Sequence, residues 1–305
     1  MTRVSEFIRS QGKSLLVNRR HALLCVVFLA LLPYTAWLSV AIVALVTLRK
    51  GWRAGGWLLG WGIISQMVSS LVYISAPMAL VNALFTFIPC YLAAYMLRLT
   101  TSWRAVAGVF FLQAVVVMLL VQILMPDFIM AQYLYLQAAL REIQSENALL
   151  AMINDKTSLN PMILASYLLG LQAIGLVVSA GMSLVLARAV QSQLFYPGGF
   201  KREALAFRAD KIGFLLLVVV FIAAHYQSVF AMCLLPMLVF YFFLAGLSLS
   251  FNVLSKQKPW RSFFLLLVTL VLLPFVMLPV YVIFGSLDSL FNLRLYLPSD
   301  AGKII

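Results

Sequence analysis

The chain reads as an all-α, polytopic transmembrane bundle, and three observations predict that class. Hydrophobic residues make up 64% of its 305 residues and charged residues only 10%. Its mean hydropathy is +1.03. A soluble fold of this length has too little interior to hide so much apolar surface. The apolar residues also fall into repeated runs of about 20, the length of helix that crosses roughly 30 Å of hydrocarbon. The alternation of a transmembrane barrel is absent.

The runs place apolar segments at about 22–47, 55–73, 78–97, 105–125, 161–187, 212–224, 229–254 and 262–284. They read as about seven full spans plus an N-terminal helical hairpin or kinked span. The organisation is a single membrane domain: a basic cytoplasmic tail (1–21), a first helical group (22–125), an extracytoplasmic amphipathic segment (126–160), a second helical group (161–284) and a C-terminal tail (285–305). The tail at 1–21 has Val4, Phe7 and Ile8 as the apolar side of a basic surface helix suited to anionic lipid. No small-residue cleavage site follows the apolar run at 22–32, so a signal peptide is not predicted.

Charge decides how the 22–47 segment runs. If it crosses once, the 22 Lys and Arg divide almost evenly between the two sides. If it turns back, all of them except Arg141, Lys156, Arg294 and Lys303 gather on one side, which the positive-inside rule makes cytoplasmic. Pro33, in Leu31-Leu32-Pro33-Tyr34-Thr35, removes a backbone donor and bends or breaks a helix. The arms on either side, about 11 and 13 residues, are each too short to span. Turned back, the hairpin leaves the N-terminus cytoplasmic and the C-terminus outside. One kinked span is the alternative that Pro33 also permits. Pro274 and Pro279 threaten the continuity of the last span in the same way.

Two spans carry small residues four apart: Gly56 with Gly60, and Gly175, Ser179 and Ser183. Such stripes let helix backbones approach closely, and both read as intramolecular packing. Polar side chains inside spans mark where protein or water must stand instead of lipid. They are Gln66 and Ser70 on one helix face, Asn82, Gln113, Gln122 and Gln172. They either hydrogen-bond between helices or line a small-molecule cavity. No ionisable residue falls deep within these spans, which argues against a proton relay or ion-coupled pump. The middle of 126–160 has apolar residues at helical spacing and lies on the bilayer or lids an outward-facing cavity.

Several chemistries are excluded. There is no GxxxxGK[ST] loop for ATP phosphates and no HExxH motif. His21 and His225 are solitary, and Cys25, Cys90 and Cys233 lie singly in apolar runs, so no metal, cofactor or disulfide framework is predicted. No serine has a plausible His or Asp partner for catalysis, and an enzyme is not expected. The net charge of +13 sits in short clusters beside apolar runs, so the expected partner is membrane lipid and not nucleic acid.

Two charged stretches remain. Pro197-Gly198-Gly199 makes a tight turn. Phe200 is expected to anchor it in the interface while Lys201, Arg202 and Arg208 meet lipid phosphate or a cytoplasmic partner. Near the C-terminus, Asp288 and Arg294 are six apart, too far for a simple ion pair along a helix.

The Pro197–Phe200 turn followed by Glu203 and Arg208, the Leu48-Arg49-Lys50-Gly51 stretch, and Asp288 with Arg294 resemble motifs of a bacterial membrane family, the YybS-like proteins. Tyr196 stands where that pattern often has asparagine, and Tyr296 where it usually has a second arginine. The family is distantly similar to substrate-binding S components of energy-coupling-factor transporters. That similarity implies a helical bundle with an outward-facing pocket for a small molecule. It also implies a basic cytoplasmic face able to meet a transmembrane coupling subunit with its ATPases.

Overall fold

The computed structural model describes residues 3–32, 34–124, 127, 130–131, 134–135, 138, 161–254 and 259–296, with the side chains of 3–8, 124, 161–162, 164, 259–263 and 296 also outside the description. Among the described residues all regular structure is helical. The helices are α1 (Arg3–Val17), α2 (Arg19–Leu31), α3 (Ala36–Lys50), α4 (Trp52–Ser70), α5 (Ala76–Thr100) and α6 (Trp103–Leu124), then α7 (Pro161–Phe195), α8 (Gly199–Ala206), α9 (Lys211–His225), α10 (Val229–Leu254), α11 (Pro259–Leu272) and α12 (Pro274–Phe291). A 3-10 turn covers Leu293–Tyr296. Five of these helices are long and apolar enough to cross a membrane: α5, α6, α7, α10 and α12. The bent pair α1–α2 would raise the number to six if it counts as one span. The chain is a membrane protein by this measure. The helical positions described within 126–160 are too scattered to place the expected amphipathic helix or lid, which lies outside the described residues.

The chain divides into two compact units, Met1–Gln113 with Gly175–Ala204, and Ala114–Ile174 with Leu205–Ile305. In the first unit, residues 19–50 fold back on themselves. Ser39 Oγ donates to the Val26 carbonyl at 2.9 Å and Thr35 Oγ1 to that of Leu29 at 2.6 Å, so positions equidistant from the turn face each other. At the far ends Arg19 and Lys50 line the same cleft. The turn places Tyr34 at φ 66°; Pro33 lies outside the described residues. At about 1.5 Å per residue the two arms reach roughly 20 Å each, less than a bilayer core. Backbone groups at such an apex need partners, because lipid offers none. Ser69 Oγ of α4 supplies the Leu31 carbonyl at 2.9 Å, and Ser183 Oγ of α7 the Trp37 carbonyl at 2.9 Å. Val26 and Ala30 of α2, Val40, Val43 and Ala44 of α3, and Phe87, Cys90, Ala94 and Leu97 of α5 form one buried core.

Close helix packing falls on other glycines than the ones the four-residue spacing nominates. A Cβ on Gly55 would overlap Thr47 Oγ1 of α3, and one on Gly62 would stand 2.5 Å from Phe87 Cε1 of α5. Gly60 and Gly175 have nothing within 4 Å, and Gly56 meets only the far end of the Tyr91 side chain at 3.2 Å. Of the stripe on α7, Ser183 is buried whereas Gly175 and Ser179 are exposed. The α4 face that packs is therefore one position round from the GxxxG pair, because spacing sets a face only relative to neighbours the sequence does not place.

In the second unit α10 and α12 run antiparallel at backbone contact. A Cβ on Gly246 would stand 2.7 Å from the Tyr281 carbonyl carbon, and one on Gly285 2.9 Å from Gly246 N. The chain breaks between α11 and α12 at Leu273 (φ −130°, ψ 56°), just before Pro274, while Pro279 stays inside α12. The last turn of α12 then meets residues 205–210, ahead of α9: Ser289 Oγ donates to the Asp210 carbonyl at 2.7 Å. Arg294 therefore stands beside the 205–210 segment. The proline break divides the last apolar run into helices of 14 and 18 residues.

Candidate functional site

The nominated polar residues do not form one continuous hydrogen-bonded set. In the first unit Asn82 Nδ2 donates weakly to Ser70 Oγ at 3.4 Å, with Asn82 itself exposed. Gln66 Oε1 and both amide atoms of Gln113 are buried without a protein partner. In the second unit the Gln122 side chain and Ser166 meet the Cys233 thiol, yet Gln122 Nε2 is buried and unpartnered. Gln172 is exposed on α7. An unmet buried amide costs about 1–3 kcal/mol, and such groups almost always meet protein, water or a ligand.

The turn after α7 is built from its own chain. At 35 residues α7 is about 52 Å long, several turns more than a bilayer requires. Its last turns carry Arg188, Gln191 and Ser192. Ser192 Oγ accepts from the Phe200 N–H at 3.0 Å and donates to the Tyr196 carbonyl at 2.9 Å, closing the Pro197-Gly198-Gly199 turn with Gly198 at φ 84°. Arg188 then clasps Glu203 through Nε (3.0 Å) and Nη2 (2.5 Å), and Trp103 Nε1 donates to the same carboxylate at 3.1 Å. Burial pushes the Glu203 pKa up, but the hydrogen bonds from Arg188 and Trp103 and the arginine charge outweigh it and hold the carboxyl below its ordinary range. Phe200 packs edge-on against Trp103, ring centroids 6.3 Å apart. Its side chain is thus half-buried against protein. Lys201 and Arg202 are exposed.

The densest polar centre lies in the second unit, where no span was expected to hold a charge. Asp288 is 0% exposed, within a helix apolar enough to cross a membrane. Its Oδ2 accepts from Arg294 Nε at 2.9 Å. The Arg294 guanidinium also donates to the carbonyls of Leu205 and Phe207 and, at 3.4 Å, to Ser248 Oγ. Arg208 Nε and Nη2 donate to the carbonyls of Asp288 (2.8 Å) and Ser289 (2.9 Å), carbonyls at a helix end that have few other partners. Asp210 caps α9 by accepting from the Gly213 N–H at 2.8 Å. Arg208, expected to face lipid or a partner, is spent on this centre. The centre ties three chain segments together, and Asp288 Oδ1 is left buried without a partner. Sequence spacing missed the pair because α12 ends at Phe291 and Asn292 takes a left-handed conformation (φ 50°). That reversal brings Arg294 back to a carboxylate six positions earlier.

Among the described residues no three His, Cys, Asp or Glu side chains gather as metal ligands. Comparison with protein-family models, curated proteins and solved structures finds no match for this chain. The class that fold and composition define is a helical membrane protein; anything more specific rests on the site.

Proposed function

We propose that this chain is a small-molecule-binding subunit of a bacterial inner-membrane importer, with its N-terminus cytoplasmic. The observation that carries the reading lies in the first unit, where Gln66 Oε1 and both amide atoms of Gln113 are buried without a protein partner. Amides held away from lipid without protein partners are the groups a polar ligand or trapped water satisfies. The resemblance to S components points the same way. The sequence has no phosphate-cradling motif, so ATP hydrolysis falls to a transmembrane coupling subunit and its ATPases. Gently purified full-length protein should retain a small molecule in native mass spectrometry, or be stabilised by one of a panel of vitamins. Gln113→Leu should weaken that ligand about tenfold, since it removes a hydrogen-bonding amide while sparing the packing. An empty bundle that no compound of the panel stabilises overturns the reading.

A second reading makes the chain a membrane scaffold that recruits a cytoplasmic partner. It is favoured by the exposure of Lys201 and Arg202 on α8, where the neighbouring Glu203 is turned onto Arg188. Crosslinking from Lys201 separates the two: capture of an ATPase coupling subunit supports import, and capture of an unrelated protein supports the scaffold.

A further inference from the structure

We infer that the first unit carries a binding site for the phosphate of an anionic membrane phospholipid, in a cleft between the N-terminal hairpin and its neighbours α1 and α4. The cleft holds about 380 Å³ and is lined by Leu15, Arg19, Ala22, Val46, Lys50, Arg53, Ala54 and Leu58. Its chemistry is divided. Ala22, Val46 and Leu58 form a buried apolar floor, and the exposed cations Arg19, Lys50 and Arg53 form the rim. Among the described residues that line the cleft none is acidic, so the three positive charges have no carboxylate among them.

The fold assembles that rim from separate stretches of sequence. Turning 19–50 back on itself brings Arg19, at the start of α2, beside Lys50, at the end of α3. Gly51, with φ 99°, then reverses the chain into α4 and presents Arg53. Two of the cations are posed by aromatic rings: the Arg19 guanidinium lies 4.1 Å from the centroid of Trp57, and that of Arg53 5.4 Å from Trp52. Guanidiniums held this way keep their donor edges free for phosphate oxygens. The first turns of α2 and α4 both lack an acidic residue and a side-chain cap, so their positive ends add to the same field.

The occupant is a lipid and not a free anion because half of the cleft is apolar. Inorganic phosphate has no use for a floor of Ala22, Val46 and Leu58, whereas a phospholipid sets its glycerol and upper acyl carbons there with the headgroup on the rim. Trp57 and Trp61, both exposed on α4 beside the cleft, are the aromatic residues that favour the headgroup level of a bilayer.

The test is native mass spectrometry of the full-length protein released from mild detergent in an equimolar mixture of phosphatidylglycerol and phosphatidylcholine with the same acyl chains. One phosphatidylglycerol should be retained in preference to phosphatidylcholine by about tenfold. Arg19→Gln/Lys50→Gln/Arg53→Gln should abolish the preference, and Lys201→Gln/Arg202→Gln, which also removes positive charge, should keep it. Arg19→Lys/Arg53→Lys keeps the charge and should keep most of the preference, which separates loss of the site from loss of folding. Excess inorganic phosphate should leave the adduct in place. Equal retention of the two lipids, a triple variant that still prefers phosphatidylglycerol, or displacement by phosphate each overturns the assignment.

Discussion

Arg294→Ala is expected to destabilise the second unit by about 3–5 kcal/mol, the range for removing one partner of a buried ion pair. Asp288 is fully buried and its Oδ2 has Arg294 as its ionic partner, while the Arg294 side chain is only 13% exposed. Without the guanidinium, the carboxylate and the carbonyls of Leu205 and Phe207 lose their donor together. Arg294→Lys should recover little, because one ammonium cannot serve a carboxylate and two carbonyls set around a planar fork. Replacing both partners with apolar residues, Asp288→Leu/Arg294→Met, should cost less than Arg294→Ala, since no unpaired buried charge remains. Thermal unfolding in one detergent orders the four proteins. A double variant less stable than Arg294→Ala would show that the centre is held by something other than this pair.

The second large effect is expected where α10 and α12 touch. Gly246→Ala places a methyl against the Tyr281 carbonyl, and Gly285→Ala places one against that of Phe242, with backbone on both sides of each clash. Overpacking costs about 1–3 kcal/mol where side chains can move aside. Here no side chain lies in the way to move, so each variant should reach or exceed the top of that range. Gly60→Ala and Gly175→Ala provide the contrast. Both positions open onto empty space, and a Gly to Ala change in a helix there should be neutral or stabilising by about 0.5–1 kcal/mol. In melting experiments the first pair should melt well below the parent protein, and the second pair at or above it.

That contrast shows what the sequence reveals and what it withholds. Composition alone establishes a helical membrane bundle. Charge placement and a single proline make the fold-back between α2 and α3 legible, and Pro274 marks the later break in the same way. These are local or statistical signals, carried by residues that act where they stand. Which glycine packs is a different matter, since it depends on the rotation of α4 against α3 and α5. The pairs Gly55–Thr47 and Gly62–Phe87 can be found only once those helices are in place. The Asp288–Arg294 pair was hidden for a related reason. Six residues is the wrong spacing on a helix, and nothing local announces that Asn292 will end it in a left-handed turn. The nominated amides show the same limit: the sequence places them inside spans, but not what they meet.

The account rests most heavily on the fold-back of residues 19–50, which gathers Arg19, Lys50 and Arg53 into one cleft. Single cysteines at positions 20 and 53, in a full-length protein whose three native cysteines are replaced, test it with a membrane-impermeant maleimide in intact and permeabilised cells. Both positions should be protected in intact cells and labelled together on permeabilisation. Labelling of one position but not the other in intact cells would make the segment a single crossing and contradict the account.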